Sequence, residues 1–253
     1  MDYDEVVRKY LKELIFRHKF EDKVIEASGK RPKKNMSFRA LPPEEFRLPS
    51  KEYAIAKGKE VIMECEFLGC KGHVFTAAPY SGRMSVSEMV DLDLRSLKNR
   101  SMFFCGLNAI MRYLGLIDKT LHCKGDSPIK CGNELVNKIL SSFGDVSVLL
   151  IGYQPAMAKA LQINLRRTYI TDMNPENIGK KVGKSVIYDH SHNYKILEDV
   201  DVVIITGSSV INSTLWPLID RVKEFGIRSV IYGVSAAGAI KIIGLERFCP
   251  FGT

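Results

Sequence analysis

Apolar positions follow two different rhythms along this chain. In the first part, Val6, Tyr10, Leu11, Leu14 and Ile15 recur at helical spacing and predict an amphipathic helix over about 4–20. Residues 29–59 are rich in proline and charge and read as a loop or as short irregular strands. Apolar runs at 61–67 and 73–77 bracket Gly69-Cys70-Lys71-Gly72, the pattern of a hairpin. Helical patterns follow at 86–97 and 102–114, the second apolar almost all round and so expected to be buried. Strands followed by helices point to an α+β unit.

Residues 116–131 lose periodicity and read as a linker. Beyond them the pattern alternates. A helix over 133–143 ends at Gly144, a suitable C-cap. Strand 146–152 leads through Pro155 into helix 156–163, and strand 167–171 ends at Asp172. A weaker strand covers 185–188. The run 202–205 is wholly apolar and β-branched, as in a strand buried on both faces. Helix 215–225 and strand 228–232 follow. Strands separated in this way require right-handed crossovers and helices on both faces, hence a Rossmann-like parallel sheet. The expected class is α/β, with an α+β domain over 1–120 and a Rossmann-like domain over 121–253.

Composition refines this without redirecting it. The chain has 253 residues, 45% hydrophobic and 26% charged, which is ordinary for a globular protein of one large or two modest domains. The net charge is +8, but basic residues interleave with acids, and the one dense cluster, at 30–34, is soon followed by Glu44 and Glu45. No zinc-finger, helix-turn-helix or RNA-recognition signature accompanies it, so no nucleic-acid partner is expected, and the role of 30–34 stays open. The N-terminus is charged, without a signal-peptide core, and no apolar segment approaches the roughly 20 residues needed to cross a bilayer. A cytoplasmic location without a membrane partner is the expectation. Six cysteines with no C-x-x-C pair suit reduced thiols rather than a disulfide framework or a structural zinc site. Homo-oligomerisation stays open.

The ligand face of such a sheet lies at the strand C-termini. It would carry Gly152, Tyr153 and Gln154, then Asp172, then Thr206, Gly207, Ser208, Ser209 and Asn212, then Ser235. Small residues let a backbone approach a ligand, and hydroxyls and amides gather where a helix start offers free N–H groups. The same residue types also turn chains and cap helices, so both readings stand. Asp172 lies twenty residues after Gly152, the spacing of an acid on a nucleotide ribose. The G-x-G-x-x-G pattern fails, with Gln154 and Met157 at its second and third glycine positions, so NAD is disfavoured. A transferase using S-adenosylmethionine, with Asp172 on the ribose, is an alternative, as is a turn or cap role for Asp172.

His190 and His192, beside Asp189, are weak metal candidates in a polar loop. His73 and Cys70 flank the hairpin turn and His122 and Cys123 sit in the linker; they would matter together only if the fold brought them to one cleft. Asn108 interrupts an apolar helix and is costly to bury alone. It reads as a tie to a backbone group or as a cleft residue. Thr76, Lys57-Gly58-Lys59 and Arg83 are further cleft candidates. No nucleophile–base pair, P-loop or H-E-x-x-H is present, so catalytic residues are unknown.

The run TGSSVINSTL at 206–215, after its apolar strand, resembles the signature of a family of Rossmann-like proteins described as putative heavy-metal chelation. VSVLLIGYQPAM at 146–157, ITDMNPENIG at 170–179 and YGVSAAG at 232–238 support it, and CGLNAI at 105–110 resembles an Asn-Ala helix of that family's companion domain. The resemblance extends from about residue 60 onward. It implies an enolase N-terminal-like fold for the first domain, a site in the cleft between domains, and a metal-related role. The matched loops offer hydroxyls, amides and Asp172 rather than soft ligands. Such a set suits a small polar molecule, or a transition metal already held by one, better than a naked soft cation. An enzyme of cofactor metabolism and a non-enzymatic metal carrier are both compatible with it. Asn108 and Thr76 are expected to face the strand-end residues across the cleft.

Overall fold

The computed structural model describes residues 1–20, 35–50, 52–57 and 60–253. The chain opens with α1 (Tyr3–Arg17), whose start is capped by Asp2 and whose buried stripe is Tyr3, Val7, Leu11, Leu14 and Ile15. Strands β1 (Asn35–Leu41), β2 (Val61–Phe67), β3 (Cys70–Thr76) and β4 (Gly82–Ser85) form an antiparallel sheet in the order β3-β2-β1-β4. Part of the stretch read as irregular is therefore an interior strand. Met36, Phe38 and Leu41 of β1 are buried between neighbours on both sides. Proline and charge around it masked the short alternation.

The hairpin turn is also tighter than expected. Leu68 and Gly69 both have positive φ, 49° and 82°, as a two-residue type I′ turn requires, and β3 begins at Cys70. Gly72 consequently lies inside the strand. A Cβ there would stand 2.6 Å from the Cys105 carbonyl oxygen and 2.8 Å from the Ala109 nitrogen, so its absence lets a helix lie directly on the sheet.

The first-half helices divide differently from the expected 86–97 and 102–114. The short α2 (Val86–Val90) starts at a capping box made by Ser85 and Glu88. The chain turns at 91–96, and α3 (Leu97–Tyr113) runs buried on every side from Arg100 to Met111. Next, α4 (Ser127–Phe143) begins within the expected linker, with Pro128 in its first turn and Pro128 and Cys131 buried.

From there the chain builds β5 (Ser147–Ile151), α5 (Pro155–Asn164), β6 (Arg167–Asp172), β7 (Lys181–Val182), β8 (Ser185–Asp189), α6 (Asn193–Ile196), β9 (Val202–Thr206), α7 (Leu215–Glu224), β10 (Arg228–Tyr232), α8 (Ala237–Ile243) and β11 (Arg247–Phe248). The sheet order is β11-β10-β9-β5-β6-β8-β7. All neighbours are parallel except β7, which pairs antiparallel with β8 at the edge. Numbering the parallel strands in chain order, the sequence across the sheet is 6-5-4-1-2-3, the order of a doubly wound sheet.

Strand alternation sorts the core into two faces. Val148, Leu150, Val202, Ile204 and Val230 meet Leu135, Ile139, Met157 and Leu161 of α4 and α5. Leu149, Ile151, Val203, Ile205 and Ile231 face the opposite way, toward Leu215, Leu218, Ile219 and Val222 of α7. This second cluster continues through α1, α3 and α8 to Met63, Cys65 and Val74 of the first sheet. Each such side chain contributes about 1.5–3 kcal/mol when fully buried, so the shared core binds the two sheets firmly. Among the described residues, no helix is long and apolar enough to cross a membrane.

Candidate functional site

Strand order reverses between β5 and β9, so the chain leaves their C-termini in opposite directions and opens a crevice between them. A cavity of about 860 Å³ lies there. Gly152, Tyr153, Gln154, Asp172, Thr206, Gly207, Ser208, Ser209, Asn212 and Ser235 all line it. The first half closes it with Tyr53, Ile55, Glu60, Phe75, His122 and Cys123.

Much of the strand-end chemistry is spent within the protein. Gly152 has φ +90°, donates its N–H to the Thr171 carbonyl at 2.9 Å and accepts the Tyr232 hydroxyl at 2.8 Å. A Cβ there would stand 2.5 Å from Thr206 Cγ2, so the glycine serves close approach of protein to protein. The Gln154 side chain accepts the Met157 N–H and caps α5, occupying a donor that an anion would otherwise use. Asp172 accepts Tyr153 N–H at 2.6 Å through Oδ2, and Asn174 N–H at 2.7 Å and Asn177 Nδ2 at 3.4 Å through Oδ1. Three of its roughly four lone-pair sites are filled. Its carboxylate clasps the loops after β5 and β6 and offers little to a ribose diol.

The turn after β9 is likewise self-bonded. Thr206 Oγ1 lies 3.0 Å from Ser208 Oγ, the Ser209 hydroxyl donates to the Thr206 carbonyl, and Ser208 O accepts Asn212 N–H at 3.1 Å. The Asn212 side chain has no protein partner among the described residues and lines the cavity, an open amide at its wall. Arg100, buried on α3, fixes this turn from behind: its Nε and Nη2 donate to the Val210 carbonyl at 3.0 and 2.6 Å. Its charge is met by Asp4, which also accepts Trp216 Nε1 at 2.7 Å.

Two expected cleft residues do not reach the cavity. Asn108 is fully buried, its Nδ2 donating to Val234 O and Ser235 O at 3.1 Å and its Oδ1 accepting Gly238 N–H at 2.8 Å. It is a tie between α3 and the strand-end loop, because a buried amide must spend its hydrogen bonds nearby. Thr76 Oγ1 accepts the Ser101 hydroxyl at 2.7 Å and the Ala78 N–H at 2.9 Å, away from the lining. His190 lines the cavity, whereas His192 stands exposed outside it. Arg83 is exposed on β4 and does not line the cavity. Gly58, Lys59, the side chain of Lys57 and the segment 30–34 lie outside the described residues.

His122 and Cys123 do enter the cavity, whose lining also includes Cys131 and Cys249. The tail carrying Cys249 is tied to the 116–126 stretch by Leu121 and Thr253, which exchange backbone hydrogen bonds of 2.8 and 3.1 Å. Burial holds the His122 imidazole down at about 4 and pushes the Cys123 thiol up to about 11, so both are uncharged at neutral pH. Burial also raises the Tyr53 hydroxyl to about 12, and raises the Glu60 carboxyl, to which the charge of Asp172 adds. Tyr53, Glu60, Phe75 and Phe248 escaped the sequence reading because aromatic and acidic residues outside a motif carry no positional signal. Among the described residues, no three His, Cys, Asp or Glu side chains converge to hold a metal ion. The donor set does not fit a naked, protein-caged cation.

Residues 136–241 match the model of the DUF364 family, described as putative heavy-metal chelation. A DUF364-family protein of unknown function from Pyrococcus horikoshii has a similar structure, with a TM-score of 0.51 and 15% identity over 92% of this chain and 80% of that one. Another DUF364-family protein, from Desulfitobacterium hafniense DCB-2, gives a TM-score of 0.47 and 17% identity over 72% of each chain. No curated protein matches. The segment that matches the DUF364 model contains β5, β9 and the loops that carry Gly152, Asp172 and Asn212.

Proposed function

We propose that the cavity binds a small polar organic molecule in the form of its metal chelate. The observation that carries this reading is the composition of the wall. Aromatic and aliphatic surface from Tyr53, Ile55, Phe75 and Phe248 surrounds a few polar groups, among them the open Asn212 amide and His122. Among the described residues, no cluster of ligating side chains accompanies them. A family role in metal chelation fits such a wall when the organic ligand supplies most of the coordination. The engaged carboxylate of Asp172 weighs against the S-adenosylmethionine alternative.

Thermal shift with four sets of additives tests this: divalent transition metals alone, polydentate acids such as citrate and nitrilotriacetate alone, their one-to-one complexes, and S-adenosylmethionine. A complex at about 100 times its dissociation constant should stabilise the fold by about 2.7 kcal/mol. Equal stabilisation by the bare metal would overturn the reading. So would stabilisation by S-adenosylmethionine alone.

A further inference from the structure

His122 is held in a way that the binding reading alone does not explain. Its Nδ1 lies 2.6 Å from the Cys123 carbonyl oxygen, which only accepts, so Nδ1 carries the proton. In the neutral ring Nε2 then keeps its lone pair, and no protein group bonds it among the described residues. The ring is clamped edge-on by Phe46 and Phe75, with centroids at 5.6 and 5.1 Å. Its backbone N–H donates to His73 Nδ1 at 3.0 Å, and His73 Nε2 in turn lies 3.0 Å from Glu64 Oε2. Thus an imidazole on the cavity wall is locked in one tautomer, with one nitrogen anchored to a backbone carbonyl and the other free. Metal-ligating histidines have this arrangement.

We propose that His122 Nε2 is the protein's own coordinating atom for the metal of a bound chelate. The inference rests on the reading above and deepens it by naming the bond. One neutral nitrogen donor cannot cage an ion, but it can fill an open position on an ion that brings its other ligands. The class of ligand is therefore a complex of a borderline divalent ion, such as copper, nickel, cobalt or zinc, with a polydentate acid that leaves one or two positions free.

Copper(II) nitrilotriacetate is a suitable probe, read by calorimetry and by its visible d–d absorption. The wild-type protein should bind it and shift the band to shorter wavelength as nitrogen replaces water. His122→Phe keeps a ring between Phe46 and Phe75, and His122→Asn keeps a donor near the Cys123 carbonyl. Both variants, checked for folding by circular dichroism, should lose the band shift and at least about tenfold in affinity. His192→Ala, outside the cavity, should change neither. If the variants bind the complex as tightly as wild type and with the same spectrum, the His122 bond is refuted while the cavity reading survives. If metal-free nitrilotriacetate shows the same dependence on His122, the imidazole is only a hydrogen-bond acceptor and the proposal fails. If wild type binds no complex at all, both readings fall together.

Discussion

Asn108 accepts the backbone N–H of Gly238 at 2.8 Å, joining the helix that covers the antiparallel sheet to the helix that follows β10. Its amino group completes the tie at the carbonyls of Val234 and Ser235. All of these groups are buried, and truncation would take this partner from the Gly238 N–H and the Ser235 carbonyl, whereas the Val234 carbonyl keeps the Ala237 N–H at 3.1 Å. Asn108→Ala should therefore lower stability by about 3 kcal/mol, seen as a reduced urea midpoint at unchanged slope. Asn108→Asp keeps the acceptor for Gly238 but turns a charge toward carbonyls, and should cost at least as much. A variant as stable as wild type would show that the tie is dispensable.

Arg100 and Asp4 make the second strong link. The guanidinium is almost wholly buried and holds Val210, so removing it leaves Asp4 without its counter-charge and the turn after β9 without its tie to α3. Arg100→Leu should destabilise by about 3 kcal/mol, and the double change with Asp4→Leu by less than the sum of the two single changes. A double-mutant cycle by chemical denaturation measures this directly. Strict additivity would disprove the coupling.

At the cavity itself, Gly152→Ala should be poorly tolerated. The added carbon meets the Thr206 side chain, and φ of +90° disfavours any L side chain. A loss of about 1–3 kcal/mol in thermal unfolding is expected. Gly144, at the end of α4, with φ of +79° and open space around it, should be affected by backbone strain alone and lose less.

Acid should weaken the fold through Glu64. Burial pushes this carboxyl up, but hydrogen bonds from His73, Arg39 and Lys71 outweigh that and hold it at about 2. The unfolded chain then binds the proton more readily than the folded one, so this contribution is complete above the ordinary glutamate range. It is lost as pH falls from about 4.5 toward about 2. Stability measured across that interval should fall more steeply in wild type than in Glu64→Gln. Parallel curves would remove Glu64 from the account.

The parallel strands were legible because β5 and β9 are buried on both faces almost throughout, and β10 over Val230, Ile231 and Tyr232, so those stretches must be nearly continuously apolar. The loop residues at their ends were legible for a related reason: a chain leaving such a strand needs glycine, hydroxyl or amide residues to turn. Strand β11 was not, since two residues carry no period. Nor was β1, whose alternation is brief and flanked by proline and charge.

By itself the sequence determined which faces are apolar, where the chain turns, and hence the α/β class and the edge where a ligand would sit. Tertiary structure alone decided how the polar groups at that edge are spent. Asp172 and Gln154 are consumed by neighbouring N–H groups, Asn108 is enclosed as a tie, and His122 lines the same cavity as Cys131 and Cys249 with one ring nitrogen unbonded among the described residues. Periodicity reports the face a residue presents. It says nothing about which remote backbone arrives to satisfy it, and that depends on contacts such as Leu121 with Thr253, made only when the whole chain has closed.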